Sequence, residues 1–434
     1  MGTINSTVTP QVAEYKSKPK TSKFKKFLKI IGPGLITGAS DDDPSGIATY
    51  SQAGAQFGLT TLWTALITYP LMASIQEICA RIGIVTEAGL TTTLKKHYPK
   101  IILYIMILFS FPAIVLNIGA DIQGMGAVSH LLFPKTPAFV FSIIFTFLLS
   151  FVIIKYPYQQ LANILKWLCF ALLLYFIVPF LTKTDWLDVM KHTFIPTIHF
   201  DKDYIEILVA ILGTTISPYL FFWQATMEAE DMEHDPKKLV ANRRILKNMK
   251  VDVNFGMLFS NLVMFFIILT GGTVLFKNGI TNISTVEQAA AALKPLAGNV
   301  AYLLFAVGII GTGLLAIPVL AGALSYMFSE TFGWKMGLDK KFHEAKGFYG
   351  VMMVSLILGL CMNFLGISPI QALVYTAILY GVTAPVLIAI ILHIANKKSI
   401  MGKYKNGLFS NITGFITLAL MTAAAVALLY FEFK

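Results

Sequence analysis

Residues 32–46 read GPGLITGASDDDPSG and lie inside an otherwise apolar stretch that is long enough to cross a membrane. Pro44 has no backbone N–H and clashes with the carbonyl four residues before it, whereas Gly46 tolerates unusual backbone dihedrals. Three consecutive aspartates, residues 41–43, come directly before this proline and the serine that follows it. We therefore predict a transmembrane helix that is interrupted here, with carbonyl groups near residues 40–43 left without helical partners.

The aspartates make this interruption a candidate cation site. Non-helical backbone at membrane depth survives only where protein or a water-filled cavity satisfies it, and an acid in hydrocarbon is costly. A bound cation would offset both costs. We therefore predict that Asp43, Asp42 and the region of Ser40 bind a cation, with Asp43 as the principal ligand. The alternative is that the acids lie at the membrane surface and cap a helix.

A second interruption is predicted in LGTTISPYLFFWQ, residues 212–224, where Pro218 again follows a polar residue inside an apolar span. Thr214, Thr215 and Ser217 place hydroxyl groups at this break. Broken helices in corresponding positions of two inverted five-helix repeats are typical of transporters with a site near the membrane midplane. The alternative is a simple proline kink in each helix.

The composition indicates a polytopic membrane protein. Of the 434 residues, 56% are hydrophobic and 13% are charged, whereas soluble domains carry about 25% charged residues. Apolar stretches of about 20 residues, enough to cross a bilayer core, recur along the chain. We predict one transmembrane domain, residues 28–431, with about eleven spans: 28–58, 59–84, 101–131, 137–154, 157–182, 206–229, 252–276, 298–329, 347–366, 370–395 and 408–431.

Charge sets the predicted orientation. Most of the 34 lysine and arginine residues fall on the side of the map that holds residues 1–27. Because basic loops tend to stay cytoplasmic, we predict a cytoplasmic N-terminus and an outside C-terminus in a plasma (inner) membrane. Residues 1–27 are predicted to be a flexible cytoplasmic tail beside anionic lipid. Basic loops on the cytoplasmic side of the bilayer thus account for the net charge of +11, and no nucleic-acid partner is needed to explain it. The sequence does not indicate an oligomeric state.

Several motifs resemble those of the NRAMP family of divalent metal transporters. They are GPG at 32–34, DPSGIAT at 43–49 and QAGAQFG at 52–58, followed more weakly by Gln76, ARIG at 80–83, Asp121 and the Pro218 break. The resemblance implies an all-α, LeuT-type membrane fold in which helices 1–5 and 6–10 form inverted repeats and helices 1 and 6 are broken. It also implies that a metal ion is the substrate and that no cofactor is needed.

The chain departs from the family pattern at two metal ligands. The family motif Asp-Pro-Gly-Asn keeps its Asp as Asp43 but has Gly46 in place of its Asn, and the Met of Met-Pro-His is Ser217. Thioether sulfur favours softer transition metals, whereas hard ions prefer oxygen. The remaining groups, with Thr376 on the tenth helix, are all hard ligands. We therefore expect a hard ion such as Mg²⁺ or Mn²⁺, bound with some of its waters retained.

The predicted proton route is also altered. The His of the family's sixth-helix motif is Tyr219 here, and of the two third-helix acids only Asp121 remains, with Gly124 at the other position. Tyrosine, with a reference pKa of about 10, is a poor proton carrier near neutral pH. We expect weak or absent proton coupling. Tyr219, Asp121, Glu77 and Gln52 are candidate pathway or coupling residues, although Glu77 and Asp121 could equally be structural partners of neighbouring helices.

The sequence therefore predicts a secondary transporter that imports a divalent cation by alternating access. One alternative is a carrier of a small organic cation or a trivalent ion, because an aromatic cluster follows Pro218. Another is a non-transporting membrane sensor with the same fold. No phosphate-binding glycine loop, catalytic triad or zinc-ligand spacing is visible, so neither ATP-driven transport nor enzymatic activity is indicated.

Overall fold

The computed structural model describes residues 32–156, 170–234 and 241–433, and within these ranges the chain is helical with no β-strand. The predicted tail, residues 1–27, lies outside them. The α-helices are α1 (Pro33–Asp41), α2 (Pro44–Phe57), α3 (Trp63–Thr86), α4 (Leu90–His97), α5 (Lys100–Leu132), α6 (Ala138–Lys155), α7 (Leu174–Leu181), α8 (Trp186–Phe194), α9 (Lys202–Thr215), α10 (Pro218–His234), α11 (Arg243–Thr270), α12 (Val286–Ala290), α13 (Lys294–Ala297), α14 (Ala301–Phe332), α15 (Lys346–Leu360), α16 (Pro369–Asn396), α17 (Lys398–Met401) and α18 (Leu408–Glu432).

Both predicted interruptions are present. Helix α1 ends at Asp41 and α2 begins at Pro44, whereas α9 ends at Thr215 and α10 begins at Pro218. Each proline therefore occupies the first position of a new helix, where its missing N–H would have no intrahelical partner in any case. The two prolines start half-helices, and the alternative of simple kinks in continuous helices is wrong.

Eight helical stretches in the described part of the chain are long and apolar enough to cross a membrane. One of them, Lys202–Glu233, includes the second interruption. The predicted first span is divided between α1 and α2, with 9 and 14 residues, and the predicted fifth span, 157–182, lies partly outside the described residues. The total of eleven spans therefore stays a prediction. Large apolar side chains such as Leu108 and Phe147 are about 70% exposed (69% and 70%), as expected of a lipid-facing surface.

Glycines bring the half-helices against long neighbouring helices. A Cβ on Gly38 of α1 would overlap the backbone of Gly256 on α11, and a Cβ on Gly83 of α3 would overlap the backbone of Ala225 on α10. Small residues of this kind allow the close backbone approach that drives helix association in membranes. Helix α1 is thus packed against α11 and helix α10 against α3, so that one half of each broken helix contacts a helix of the other predicted repeat. This packing holds the two breaks at the centre.

We expect Gly38→Ala to destabilise the fold, because its Cβ can be accommodated only if α1 and α11 move apart. Overpacking of this kind costs about 1–3 kcal/mol. The midpoint of thermal unfolding, followed by size-exclusion chromatography in detergent, should fall. Gly350→Ala in α15 is the matched control, because no atom lies within 4 Å of its built Cβ. Equal midpoints for the two variants would contradict the inferred packing.

Candidate functional site

Asp43 is the N-cap residue of α2. Its Oδ1 accepts a hydrogen bond from the Gly46 backbone N–H at 2.8 Å, and its Oδ2 accepts one from the Asn117 side-chain amide at 2.9 Å. The residue is only 2% exposed. Both hydrogen bonds and the positive end of the α2 dipole stabilise a negative charge at this position. The sequence proposal that an acid caps a helix is thus correct for Asp43, but the cap is buried in the protein.

Two hydroxyl groups extend the polar environment of Asp43. Thr376 Oγ1 on α16 lies 3.2 Å from Asn117 Oδ1 and 3.1 Å from Ser45 Oγ. Ser45 Oγ also donates to the Leu373 carbonyl at 2.7 Å. The predicted ligand Thr376 is therefore brought to the first break, where Asn117 connects it to the carboxylate of Asp43.

Asn117 is the residue of this site that the sequence interpretation missed. It lies on α5, four residues before Asp121, so the two side chains share one face of the helix. An asparagine and an aspartate at this spacing inside an apolar span were the available signal. Both residues are 0% exposed, which places a polar stripe of α5 against the first break.

The two breaks touch each other at Gly46. A Cβ built on Gly46 would lie 3.3 Å from Thr214 Oγ1 at the end of α9 and 3.3 Å from the Tyr50 ring. Any side chain at position 46 would therefore require Thr214 or Tyr50 to give way. The glycine that replaces the family's asparagine is the residue that allows this close contact between the breaks.

The hydroxyl groups of the second break are partly used by its own backbone. Ser217 Oγ donates to the Thr214 carbonyl at 2.5 Å and lies 3.3 Å from the Gly213 carbonyl. Thr215 Oγ1 donates to the Ile211 carbonyl one turn earlier. The carbonyl of Thr214 therefore accepts a hydrogen bond although it lies at a helix break. Whether Thr214, Thr215 and Ser217 bind an ion stays a prediction.

Tyr219 supplies a partner for the first break. Its hydroxyl donates to the Ser40 carbonyl at 2.9 Å, while Ser40 Oγ donates to the Ile36 carbonyl at 2.8 Å. The Ser40 carbonyl was expected to be free for a cation, and in this structure it is not. The Tyr219 ring lies 5.8 Å from that of Tyr380, between centroids. Tyr219 thus joins α10 to the end of α1, as a hydrogen-bond donor.

Asp42 does not share the partners of Asp43. Ser260 Oγ on α11 lies 2.7 Å from Asp41 Oδ2 and 3.2 Å from Asp42 Oδ1. Asp41 and Asp42 are each 1% exposed. The interpretation that Asp42 and Asp43 act on one ion is therefore not supported by the contacts, because the two side chains are held by different helices, α11 and α5.

Asp121 is a buried acid near the same break. It is 0% exposed, and neither carboxylate oxygen has a hydrogen-bond partner of normal geometry among the described residues. The Ser45 backbone N–H lies close to it, and Asp43 is its main charged neighbour. Asp121 is therefore placed beside the site, and its role in coupling stays a prediction.

The remaining two candidates lie away from Asp43. Gln52 Oε1 accepts a hydrogen bond from the Ile283 backbone N–H at 2.8 Å, so it fixes the segment that follows α11 over the far end of α2. Glu77 lies 3.5 Å from Arg81 and 3.5 Å from Ser410 Oγ on α18. These contacts favour a structural role for Glu77, with α18 as the neighbouring helix.

In the described part of the chain, no three His, Cys, Asp or Glu side chains converge as a metal-ligand group. A divalent ion at Asp43 would therefore be held by one carboxylate, neutral oxygen atoms and retained waters. Such a ligand set suits a hard ion that gives up its hydration shell reluctantly.

A helical membrane bundle with two interrupted helices that meet at a buried acid defines a transporter of the LeuT-type fold. A family model described as natural resistance-associated macrophage protein-like matches residues 34–431. The chain belongs to this family, the NRAMP family, and the resemblance seen in its motifs is confirmed.

Individual proteins agree with this assignment. The divalent metal cation transporter MntH of Caldanaerobacter subterraneus is 26% identical over 422 residues, which cover 95% of both chains. The manganese transporter of Eremococcus coleocola has a similar structure, with a TM-score of 0.74 and 18% identity, covering 95% of this chain and 88% of that one. A nucleobase-cation-symport-1 family transporter in a closed conformation superimposes with a TM-score of 0.58 and 14% identity, covering 92% and 91%. The structural similarities establish the LeuT-type fold.

We expect Tyr219→Phe to destabilise the protein by about 1–3 kcal/mol, because the buried Ser40 carbonyl loses its donor. The unfolding midpoint in detergent should fall. Tyr375→Phe on α16 is the matched control, since the Tyr375 side chain is 53% exposed. Unchanged stability of Tyr219→Phe would contradict the inferred contribution of this hydrogen bond.

Proposed function

We propose that this protein imports a divalent metal cation, Mg²⁺ or Mn²⁺, by alternating access around Asp43. The observation that carries the proposal is the buried Asp43 carboxylate at the first helix break, held by Gly46 and Asn117. The relatives are named as divalent metal cation transporters, and the similar structure is that of a manganese transporter. These names support a divalent metal cation as the substrate. The oxygen ligands around Asp43 support a hard ion within that class.

The chemistry around Asp43 favours oxygen ligands. The nearest side-chain groups of its network are the Asn117 amide and the Ser45 and Thr376 hydroxyls. Ser217 stands where the family has methionine, so the soft ligand is replaced by a hydroxyl. An ion that uses the free lone pairs of Asp43 and reaches Thr376 through water would leave the helix cap intact.

The contacts at both ends of the broken first helix suggest how access alternates. Asp252 on α11 accepts hydrogen bonds from the Gly32 and Gly34 backbone N–H groups at 2.9 and 2.7 Å, and so anchors the start of α1. Gln52 anchors the other half through Ile283. The predicted orientation puts the first contact on the cytoplasmic side, in a plasma membrane, and the second outside. Release of one anchor at a time would open one side of the site.

We expect saturable Mg²⁺ or Mn²⁺ entry into proteoliposomes that contain the purified protein. Asp43→Ala should abolish it, because the variant loses the carboxylate of the site. Asp43→Asn should also lose transport while it keeps the helix cap, since asparagine caps helices as well as aspartate does. Flux is measured with a divalent-sensitive fluorescent indicator inside the vesicles.

Asp188→Ala is the control for that experiment, because Asp188 lies on α8 and its side chain is 46% exposed. It should transport like the unaltered protein. Flux that persists in both Asp43 variants would remove Asp43 from the mechanism. Absence of any divalent flux would favour the alternatives, a carrier of an organic cation or a trivalent ion, or a sensor.

We expect weak or absent proton coupling. Tyr219 replaces the family histidine, and its hydroxyl is engaged with the Ser40 carbonyl. An internal pH indicator should therefore report little or no acidification during Mg²⁺ or Mn²⁺ uptake, and an imposed pH gradient should have little effect on the initial rate. Acidification that follows uptake, and that disappears in an Asp121→Asn variant, would instead assign proton transfer to Asp121.

A further inference from the structure

We propose that Asp41, Asp42, Ser260 and Tyr50 form a second site for a hard divalent cation, on the side of the first break that faces α11. The inference rests on the proposed function for the class of ion, because the ion is of the same kind as the proposed substrate. The site is separate from Asp43, whose side chain is held by α2 and α5.

The first observation is that the two carboxylates have too few hydrogen-bond donors. Ser260 Oγ lies within hydrogen-bond distance of Asp41 Oδ2 and Asp42 Oδ1, at 2.7 and 3.2 Å. A serine hydroxyl has one proton and can donate to only one of them at a time. Asp41 Oδ1 and Asp42 Oδ2 have no hydrogen-bond partner in the described structure. At least three buried carboxylate oxygens are therefore unsatisfied.

The second observation is the position of these acids on the helix. Asp41 is the last residue of α1 and Asp42 is its C-cap. The C-terminal end of a helix carries partial negative charge, so it destabilises an anion and stabilises a cation. Asp43, by contrast, caps the N-terminal end of α2, where an anion is favoured. Adjacent residues thus have opposite electrostatic environments, and only Asp41 and Asp42 lack compensation from their helix.

A third observation comes from a different helix and also points to a ligand. Tyr50 on α2 is 0% exposed, and its hydroxyl has no hydrogen-bond partner of normal geometry among the described residues. The Tyr50 ring lies close to the end of α1. A Cβ built on Gly46 would be 3.3 Å from the Tyr50 ring and 3.4 Å from the Asp41 carbonyl oxygen. Asp41 and Asp42 are its foremost charged neighbours, and the Thr215 hydroxyl also lies near it. Because Tyr50 is a buried polar side chain whose foremost charged neighbours are Asp41 and Asp42, we include it as the fourth side chain of the proposed site.

Charge selects the occupant. In the described part of the chain, the charged groups that act on Asp41 and Asp42 are each other and Asp43, all of them acids. Two adjacent carboxylates without a basic partner are costly at low dielectric, and one divalent cation neutralises both. The ligand atoms are carboxylate and hydroxyl oxygens, which Mg²⁺ and Mn²⁺ prefer over softer alternatives.

The experiment uses Mn²⁺ as the probe and counts ions bound by the purified full-length chain in detergent. Electron paramagnetic resonance gives the free Mn²⁺ signal during a titration, and therefore the bound ions per chain. We expect two ions on the unaltered protein and dipolar broadening between them. Asp41→Asn with Asp42→Asn should remove one ion and the broadening, and Asp43→Asn should remove the other ion.

Single variants keep the test valid if the double variant does not fold. Ser260→Ala should weaken one of the two sites about 10-fold, as loss of a supporting hydrogen bond at a metal site does. Tyr50→Phe should act in the same direction. Ser410→Ala on α18 is the matched control, because Ser410 contacts Glu77 and lies outside both sites.

The outcomes separate this inference from the proposed function. One ion that is lost only in Asp43→Asn would overturn the second site, with protons on Asp41 and Asp42 as the remaining account, and would leave the proposed function standing. One ion that is lost only in the Asp41 and Asp42 variant would support the second site and overturn the Asp43 centre. No bound Mn²⁺ on the unaltered protein would overturn the second site, and the flux measurement with Mg²⁺ would then decide the proposed function separately.

Discussion

The structure depends on one constraint: backbone polar groups exposed by a helix break inside a membrane must find partners within the protein. Each break meets it with side chains. Asp43 accepts from the Gly46 N–H, Tyr219 donates to the Ser40 carbonyl and Ser217 donates to the Thr214 carbonyl. The Asp43 contact lies within the first break and the Ser217 contact within the second, whereas the Tyr219 contact joins the two breaks. The proposed substrate site is built from the same groups that satisfy the backbone of the interrupted helices.

This constraint also explains how the chain can differ from its family and keep the fold. Gly46 stands where the family motif has an asparagine, and its lack of a side chain lets the Thr214 side chain approach the first break. An asparagine is still present beside Asp43, supplied by α5 as Asn117. Replacement of methionine by Ser217 removes a thioether, and the new hydroxyl satisfies the end of α9. Each substitution alters the ligand chemistry while the backbone stays satisfied.

Much of the fold could be predicted from the sequence because its signals are local. Proline after a run of aspartates, and proline after Ser217, fixed the ends of the half-helices to within a few residues. The partners of the site were harder to predict. Which way Asp42 and Asp43 point depends on the backbone dihedrals of the break, with φ −82° and ψ 52° at Asp42, and no sequence pattern encodes them. Asn117 and Ser260 come from distant spans, and their relation to the break is set by helix packing.

Asp43 keeps the same partners whether or not an ion is bound, because it caps the α2 N-terminus and accepts a hydrogen bond from the Asn117 amide. A carrier that moves its substrate without a coupled proton must return empty in every cycle. An uncompensated carboxylate would resist that step, since it would have to reorient through a region of low dielectric as a bare charge. The helix cap lowers this penalty, so in the proposed cycle the hydrogen bonds that hold the broken helix together would also assist the return of the empty carrier.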